Sequence, residues 1–351
     1  MPRQSSPDHV SVSAVALYFV ASPLQYLAAR RIARSFEPGA RQVLVWYKPG
    51  VAPVVRVEEW DAALYMPWPR FHPLPGPFGR HRRLRENLRM VAEQVGPCER
   101  LHIHSAVFDT EAINYFLRGL PMLCRCTQMR ARILPDGLIS VRRYPLTALK
   151  RALQHLRRLR GLFAPELRYW CFAGDRIGSD APFCDRIYVL PGLPHEYDPA
   201  KVTVLPALTN REASIAGAGP ARALIVGQPL VGTGLMNARD RDAVAEEIAG
   251  WLAAQGVREI DYKGHPKDPN RELNRPAYRV VEPGEALETY MSTQAYRFVV
   301  GVRSSALMFA RQIYGDEARV VAFGWDRLKF KSAEEEAAMR GAFSLSGVEL
   351  L

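Results

Sequence analysis

Two short polar motifs in this 351-residue chain carry residue types that can handle a phosphate group. The first is Lys263-Gly264-His265-Pro266 and the second is Ser304-Ser305. An imidazole titrates near neutrality, so it can donate a hydrogen bond or a proton to a departing phosphate oxygen. Serine hydroxyls and the free N–H groups of a helix N-terminus bind anions. Together the motifs predict a site for the phosphate of an activated sugar, whereas each motif alone is also typical of a surface loop or a helix cap.

The apolar pattern around these motifs predicts strands at 259–263 and 298–302, and a helix at 304–314. His265 and Ser304 therefore each follow a predicted strand directly. Further strands are predicted at 223–226, 279–281 and 319–322, with helices at 241–254, 286–291 and 333–342. Ligands of parallel α/β sheets bind outside the carboxyl ends of the strands, so we expect His265 and Ser304 on the same rim.

The first half of the chain has a similar pattern. Strands are predicted at 13–21, 42–47, 101–105 and 131–134, and helices at 24–36 and 110–118. The segment 210–220 is rich in small and helix-breaking residues, which is typical of a linker. The sequence thus predicts an α/β protein with a domain at 1–210, a domain at 221–351, and two Rossmann-like folds facing a central cleft.

Three acidic residues are further candidates. Asp136 follows the strand at 131–134 and can act as a general base, although Asp-Gly is also common in ordinary turns. Glu282 and Glu285 can accept a hydrogen bond from a ribose hydroxyl, or can lie in a surface turn. Asp240-Arg241-Asp242 looks like a metal-binding motif, but its place at a helix start favours capping.

The charge of the chain is asymmetric. Residues 206–351 hold 18 Lys/Arg and 19 Asp/Glu, so the first 205 residues hold 29 Lys/Arg and 17 Asp/Glu, an excess of +12. The segment from Arg142 to Arg168 holds eight Lys/Arg and one acidic residue, with leucines at helical spacing. The main interpretation is a helix packed on its own domain with its basic face in solvent. The alternative is peripheral contact with an anionic membrane or an anionic acceptor.

The sequence predicts a cytoplasmic protein, with the inner membrane face as an alternative. It has five cysteines without a CxxC pair, no long apolar run, and a polar start at residues 1–10. A nucleic-acid-binding protein that uses the basic first domain is a more distant alternative. No nucleic acid is expected as a partner, because the arginines lack interleaved aromatic residues.

The motifs resemble those of bacterial sialyltransferases and polysialyltransferases of the GT-B type. That family has an acidic-acidic-Gly motif, then His-Pro, then Ser-Ser or Ser-Thr, and the same order appears in Asp136-Gly137, His265-Pro266 and Ser304-Ser305. Residues 19–25 and the tetrapeptide Gly227-Gln228-Pro229-Leu230 are similar to the openings of the family's two domains. The family's first acidic residue is replaced by Pro135, so Asp109 and Glu111 are alternatives to Asp136 as the base.

The resemblance implies inverting transfer of sialic acid from CMP-sialic acid to an anionic glycan of a bacterial capsule or lipooligosaccharide. His265 would protonate the leaving phosphate, and Asp136 would deprotonate the acceptor hydroxyl. Neither a metal nor another cofactor is implied. CMP-Kdo is an alternative donor, and a GT-B-like epimerase is a third interpretation. Residues predicted to contact the donor are Ser304, Ser305, Pro266, Gly227, Gln228 and Lys263, with Glu282 and Glu285 near the ribose or cytidine.

Overall fold

The computed structural model describes residues 12–136, 145–190, 195–206, 208, 221–265, 267–283 and 287–351. The chain divides into two compact units. The first unit comprises Met1–Val189 and Glu196–Thr203, and the second comprises Leu190–His195 and Val204–Leu351. The predicted linker at 210–220 lies outside the described residues. Each unit has its own apolar core of buried side chains.

The first unit contains a seven-stranded sheet with the order β3-β2-β1-β4-β5-β6-β7. Its strands are β1 (Val12–Val20), β2 (Arg41–Trp46), β3 (Ala62–Tyr65), β4 (Cys98–Ser105), β5 (Gln128–Ile133), β6 (Cys184–Val189) and β7 (Val202–Val204). The pairings from β3 through β6 are parallel. Residues 14–20 of the central β1 are buried on both faces, which explains the unbroken apolar run in the sequence.

The helices of the first unit cover the sheet. They are α1 (Pro23–Phe36), α2 (Gly79–Val95), α3 (Glu111–Asn114), α4 (Phe116–Leu123) and α5 (Ala148–Arg158). The prediction of one helix at 110–118 is wrong, because α3 and α4 are separate helices. They are separated at Tyr115, although its backbone angles remain helical. The side-chain amide of the neighbouring Asn114 pairs with both backbone groups of Trp170 at 2.6 and 3.0 Å.

The second unit contains a six-stranded, fully parallel sheet with the order β10-β9-β8-β11-β12-β13. Its strands are β8 (Arg222–Val226), β9 (Glu259–Lys263), β10 (Arg279–Val280), β11 (Phe298–Gly301), β12 (Arg319–Ala322) and β13 (Glu349–Leu350). Its helices are α6 (Ala238–Ala254), α7 (Leu287–Thr293), α8 (Ser305–Tyr314) and α9 (Ala333–Leu345). The prediction of an α/β fold with two Rossmann-like units is therefore confirmed.

The strand order of the second sheet reverses between β8 and β11. In such sheets the loops after the two strands at the reversal diverge and leave a crevice, which is where ligands bind. Gln228 lies in the loop after β8, and Arg303 lies in the loop after β11.

Two features interpreted from the sequence are also explained by the fold. Asn237 caps α6 by accepting the backbone N–H of Asp240 at 2.8 Å, and its amide donates to the Asp240 carboxylate at 2.7 Å. The Asp-Arg-Asp motif therefore belongs to a helix start. Among the described residues, no helix is both long enough and apolar enough to cross a membrane.

Candidate functional site

A pocket of about 700 Å³ lies within the second unit, at the carboxyl ends of β8, β9 and β11. Its volume is in the range of small-molecule sites. Three of the residues predicted from the sequence line it together, namely Gln228, His265 and Ser305. The two motifs that are about forty residues apart in the chain therefore meet in one cavity.

The loops after β8 and β11 are joined by a hydrogen bond. The backbone N–H of Arg303 donates to Oε1 of Gln228 at 3.0 Å. This bond satisfies a backbone donor at the crevice and holds Gln228 against the start of α8. The Gln228 side chain, which lines the pocket, thus also fixes the position of the neighbouring loop.

His265 is exposed at the end of β9 and is held by a turn. Its Nδ1 accepts the backbone N–H of Lys267 at 3.0 Å, and its carbonyl oxygen accepts the N–H of Asp268 at 2.9 Å. Because Nδ1 is an acceptor, a neutral imidazole carries its proton on Nε2. His265 can therefore present an N–H donor from Nε2. Pro266 lies outside the described residues.

The two serines have different positions. Ser304 is the N-cap of α8, and its Oγ accepts the N–H of Ala306 at 3.3 Å. Ser305 is exposed and lines the pocket. Ser304 therefore caps the helix. Ser305 can offer its hydroxyl to a ligand at the positive end of this ten-residue helix.

The pocket is strongly cationic. Lys267, Lys329 and Lys331 line it, together with an ion pair of 2.7 Å between Arg303 and Glu335. Lys329 and Lys331 were not predicted as site residues from the sequence. In the sequence, Lys329-Phe330-Lys331 directly precedes Ser332, the N-cap of α9, but this position does not place the two lysines at the strand ends. The lysines give the pocket the positive potential that an anionic ligand needs.

One wall of the pocket is apolar. It is formed by Met308, Met339, Phe343 and the half-buried Phe330. The Phe330 ring lies 5.0 Å from the guanidinium carbon of Arg303, so the cation packs over the ring. An apolar wall beside several cations suits a ligand that has both a flat ring and acidic groups.

Other residues predicted at the donor site lie elsewhere. A Cβ on the buried Gly227 would lie 2.3 Å from the Tyr262 hydroxyl, so this glycine allows close packing of loop and strand. Lys263 Nζ donates to the carbonyl oxygen of Gly264 at 2.7 Å. Glu282 is largely exposed and pairs with Arg271 at 2.5 Å. None of these three residues lines the 700 Å³ pocket, and Glu285 lies outside the described residues.

The predicted base, Asp136, is half-buried after β5 in the first unit. Burial and the nearby Asp136 carboxylate raise the pKa of Tyr47. The Tyr47 ring stacks on Trp68 with their centres 4.6 Å apart. Asp136 thus lies beside an aromatic pair formed by residues that follow β2 and β3. Gly137 lies outside the described residues.

The two alternative bases differ in their surroundings. Asp109 is buried, and its Oδ1 accepts hydrogen bonds from Tyr169 Oη at 2.8 Å and Gln154 Nε2 at 2.9 Å. Glu111 pairs with Arg160 and, at 3.4 Å, with Arg80. The environment of Asp109 is that of a structural anchor, whereas Glu111 lines a second pocket.

This second pocket, of about 230 Å³, lies in the first unit. Trp68 and Glu111 line it with three arginines, Arg70, Arg80 and Arg157. An indole beside guanidinium groups is suited to a ring that carries a negative charge. Among the described residues, no group of three or more His, Cys, Asp or Glu side chains could hold a metal ion.

Comparisons with known proteins bear on the second unit most directly. Residues 200–322 match the family model described as alpha-2,8-polysialyltransferase. This match includes His265, Ser304 and Ser305, whereas Asp136 lies outside it. No curated protein matches the chain significantly.

Solved structures with a similar fold cover most of the chain. A spinosyn rhamnosyltransferase complexed with thymidine diphosphate is 15% identical, with a TM-score of 0.49 over 96% of this chain and 86% of that one. The glycotransferase of kitacinnamycin is 11% identical, with a TM-score of 0.47 over 96% and 85%. UDP-GlcNAc 2-epimerase from Neisseria meningitidis is 11% identical, with a TM-score of 0.44 over 93% and 85%.

The family match confirms the resemblance that was predicted from the His-Pro and Ser-Ser motifs. Residues 200–322 of this chain are similar to the alpha-2,8-polysialyltransferase family.

Proposed function

We propose that the protein transfers sialic acid from CMP-sialic acid to a hydroxyl of an anionic bacterial surface glycan, in capsule or lipooligosaccharide synthesis. CMP-Kdo is the alternative donor. The observation that carries this proposal is the 700 Å³ pocket, in which His265 and Ser305 lie beside three lysines and an apolar wall. Transfer is proposed to invert the anomeric centre and to require no metal.

The chemistry of the donor matches that of the pocket. A CMP-sugar of this class carries a phosphodiester and a sugar carboxylate, and Lys267, Lys329 and Lys331 can offset these two charges. Ser305 and the α8 N-terminus offer donors to the phosphate oxygens. Phe330 offers an aromatic surface to the cytosine ring. Of the other predicted donor contacts, Gly227, Lys263 and Glu282 do not line this pocket.

The leaving group departs when the bond between the anomeric carbon and the phosphate oxygen breaks, with both electrons going to CMP. Nε2 of His265 stabilises this charge by donating a hydrogen bond. It can deliver a proton in the imidazolium form, in which Nδ1 no longer accepts the N–H of Lys267. The acceptor oxygen attacks the opposite face of the carbon, and its proton goes to a carboxylate. Asp136 is proposed as that base, and Glu111 is the better placed of the two alternatives because Asp109 is buried and already hydrogen-bonded.

The acceptor is proposed to bind the basic first unit. The 230 Å³ pocket offers Trp68 to the face of a sugar, and Arg70, Arg80 and Arg157 to its carboxylate. Trp68 is linked by its stack on Tyr47 to the surroundings of Asp136. This chain of contacts supports a first unit that holds an anionic glycan near the proposed base.

Isothermal titration with CMP tests the donor site. We expect His265→Ala and Ser305→Ala each to weaken CMP binding about 10- to 100-fold, the range for one lost hydrogen bond to a charged group. Ser344→Ala, at an exposed serine in the same unit, is the matched control and should bind like wild type. Wild-type affinity in both pocket variants would contradict the donor-site assignment.

Turnover identifies the donor and the base. CMP-sialic acid, CMP-Kdo and a UDP-sugar are each incubated with an anionic oligosaccharide, and turnover of the UDP-sugar alone would overturn the proposal. Asp136→Asn should lose transfer while it keeps wild-type CMP affinity. If transfer persists in Asp136→Asn and is lost in Glu111→Gln, the base is Glu111.

A further inference from the structure

The segment from α5 to the following turn exposes a row of large apolar side chains. These residues are between 42% and 93% exposed, and they are Leu149, Leu153, Leu156, Leu159, Leu162 and Phe163. The first three recur at spacings of four and three residues, which places them on one face of α5. A soluble surface seldom leaves such a row in water, because each leucine loses favourable burial.

An ordinary amphipathic helix buries its apolar face, whereas α5 buries a polar residue and exposes its leucines. Its only fully buried residue is Gln154. Gln154 Nε2 donates to Asp109 Oδ1 at 2.9 Å, and its Oε1 accepts the N–H of Phe172 at 2.9 Å. Arg157 on the same helix reaches the hydroxyl of Tyr169 at 3.4 Å. Polar side chains thus attach α5 to the first unit, while its leucines face away. As interpreted from the sequence, the helix packs on its own domain with its basic residues in solvent, but its leucines are exposed as well.

The same segment is positively charged. Lys150, Arg151 and Arg158 are exposed on α5, and no Asp or Glu occurs from residue 145 to residue 165. Each of these cations lies within two positions of a leucine of the row along the chain. An apolar row accompanied by unopposed cations is complementary to a surface that is apolar inside and anionic outside.

We propose that α5 and the turn through Phe163 bind the surface of an anionic lipid bilayer, with the leucines and Phe163 inserted below the headgroups. The helix has 11 residues, so it is about 16 Å long, which is too short to span a bilayer but suits a helix that lies in the interface. Lysine and arginine side chains can extend from such a helix to the phosphate groups. This binding does not depend on the proposed sugar transfer, since none of its exposed apolar residues lines either pocket.

Vesicle flotation with the full chain tests this proposal. The probe is a vesicle of phosphatidylcholine with 30% phosphatidylglycerol, compared with phosphatidylcholine alone. We expect wild type to float with the anionic vesicles, and the triple variant Leu149→Ser/Leu153→Ser/Leu156→Ser to bind more than about tenfold more weakly, because it loses the inserted area. The matched control is Val57→Ser/Val204→Ser/Leu345→Ser, which changes three other exposed apolar residues and should bind like wild type.

Two further measurements distinguish a loss of membrane binding from unfolding and from a change in oligomeric state. Circular dichroism should show the same thermal transition in both triple variants, because the substituted residues are exposed. Light scattering reports oligomeric state, and a wild-type dimer that becomes monomeric in the leucine variant without any vesicle binding would show that a second copy covers the row. Equal flotation of the leucine variant and wild type would also overturn the proposal. Unchanged CMP affinity in the leucine variant separates this test from that of the donor site.

Discussion

The backbone N–H of Arg303 and Oε1 of Gln228 are joined by a 3.0 Å hydrogen bond across the point where the strand order of the second sheet reverses. The bond connects two loops that are 75 residues apart in the chain. It places Gln228 and Ser305 on the same pocket and aligns the α8 N-terminus with that pocket.

Two substitutions at Gln228 should separate the structural and ligand-binding effects of this bond. Gln228→Leu removes the acceptor and leaves the N–H of Arg303 unpaired, so we expect a loss of about 1–3 kcal/mol of stability and weaker CMP binding. Gln228→Glu keeps an acceptor oxygen but adds a negative charge to the pocket, so it should keep its stability and lose CMP affinity. Urea unfolding and CMP titration measure both quantities, and equal behaviour of the two variants would contradict this division.

The neighbouring serines should respond differently to alanine. Ser304→Ala removes the N-cap of α8 and should cost about 1 kcal/mol of stability. Ser305→Ala should leave stability within about 0.5 kcal/mol, as is usual for an exposed residue, while CMP binding falls. The comparison uses thermal unfolding and titration of both proteins. A stable Ser304→Ala or a destabilised Ser305→Ala would contradict the assigned positions.

Gly227→Ala should destabilise the second unit by about 1–3 kcal/mol, because the new methyl group would lie 2.3 Å from the Tyr262 hydroxyl and 3.1 Å from the Lys263 carbonyl oxygen. Tyr262→Phe removes the nearest atom but keeps the ring carbon Cζ at 2.7 Å, so the clash is relieved in part. The double variant should therefore be more stable than the sum of the two single changes predicts. A double-mutant cycle in urea measures this coupling. Strict additivity would show that the methyl group is accommodated by some other movement. Gly250→Ala is the control, since a Cβ there meets nothing within 4 Å.

The first unit should lose stability in acid through His104. This side chain is fully buried, its ring stacks on Tyr18 with their centres 4.4 Å apart, and burial followed by the neighbouring His102 lowers its pKa to about 3. In the unfolded chain the pKa is about 6.5. Between these values the unfolded state holds a proton that the folded state lacks, so stability falls as the pH falls from about 6.5 towards 3, by at most about 1.4 kcal/mol per pH unit.

His104→Gln removes this titration. Urea unfolding of both proteins at a series of pH values should show a difference between their stabilities that changes below about pH 6.5 and is constant above it. A difference that does not depend on pH would mean that His104 takes up its proton equally in both states.

Much of the fold could be predicted because strands and helices are encoded by local periodicity. Examples are the buried run of β1 and the strand β9, which matches the predicted strand at 259–263. The helix α8 begins one residue from its predicted start. The helix α2 was not predicted, although Leu84, Leu88, Val91 and Val95 recur at helical spacing and are buried. Its many arginines obscured an apolar stripe that is only one residue wide at each turn.

The candidate site could be predicted in part for the same reason. His265 and Ser305 follow strands, and strand ends of a parallel sheet share a rim. Lys329, Phe330 and Lys331 could not be assigned to that rim, because they follow β12 by a loop whose course depends on the packing of α9. Ser304 and Ser305 could not be distinguished either, since only the direction of α8 decides which hydroxyl caps the helix and which faces the pocket.

The sequence by itself determined the α/β class, the two motifs of the donor pocket and the resemblance to sialyltransferases, because these depend on residue type, order and local spacing. Only the tertiary structure decided that Gln228 joins the loop of Arg303, that Asp109 is an anchor, and that the leucines of α5 face outward. The physical reason is that hydrogen bonds and burial between distant segments are set by packing. The same leucine spacing is compatible with a helix that packs through its leucines and with a helix that packs through Gln154.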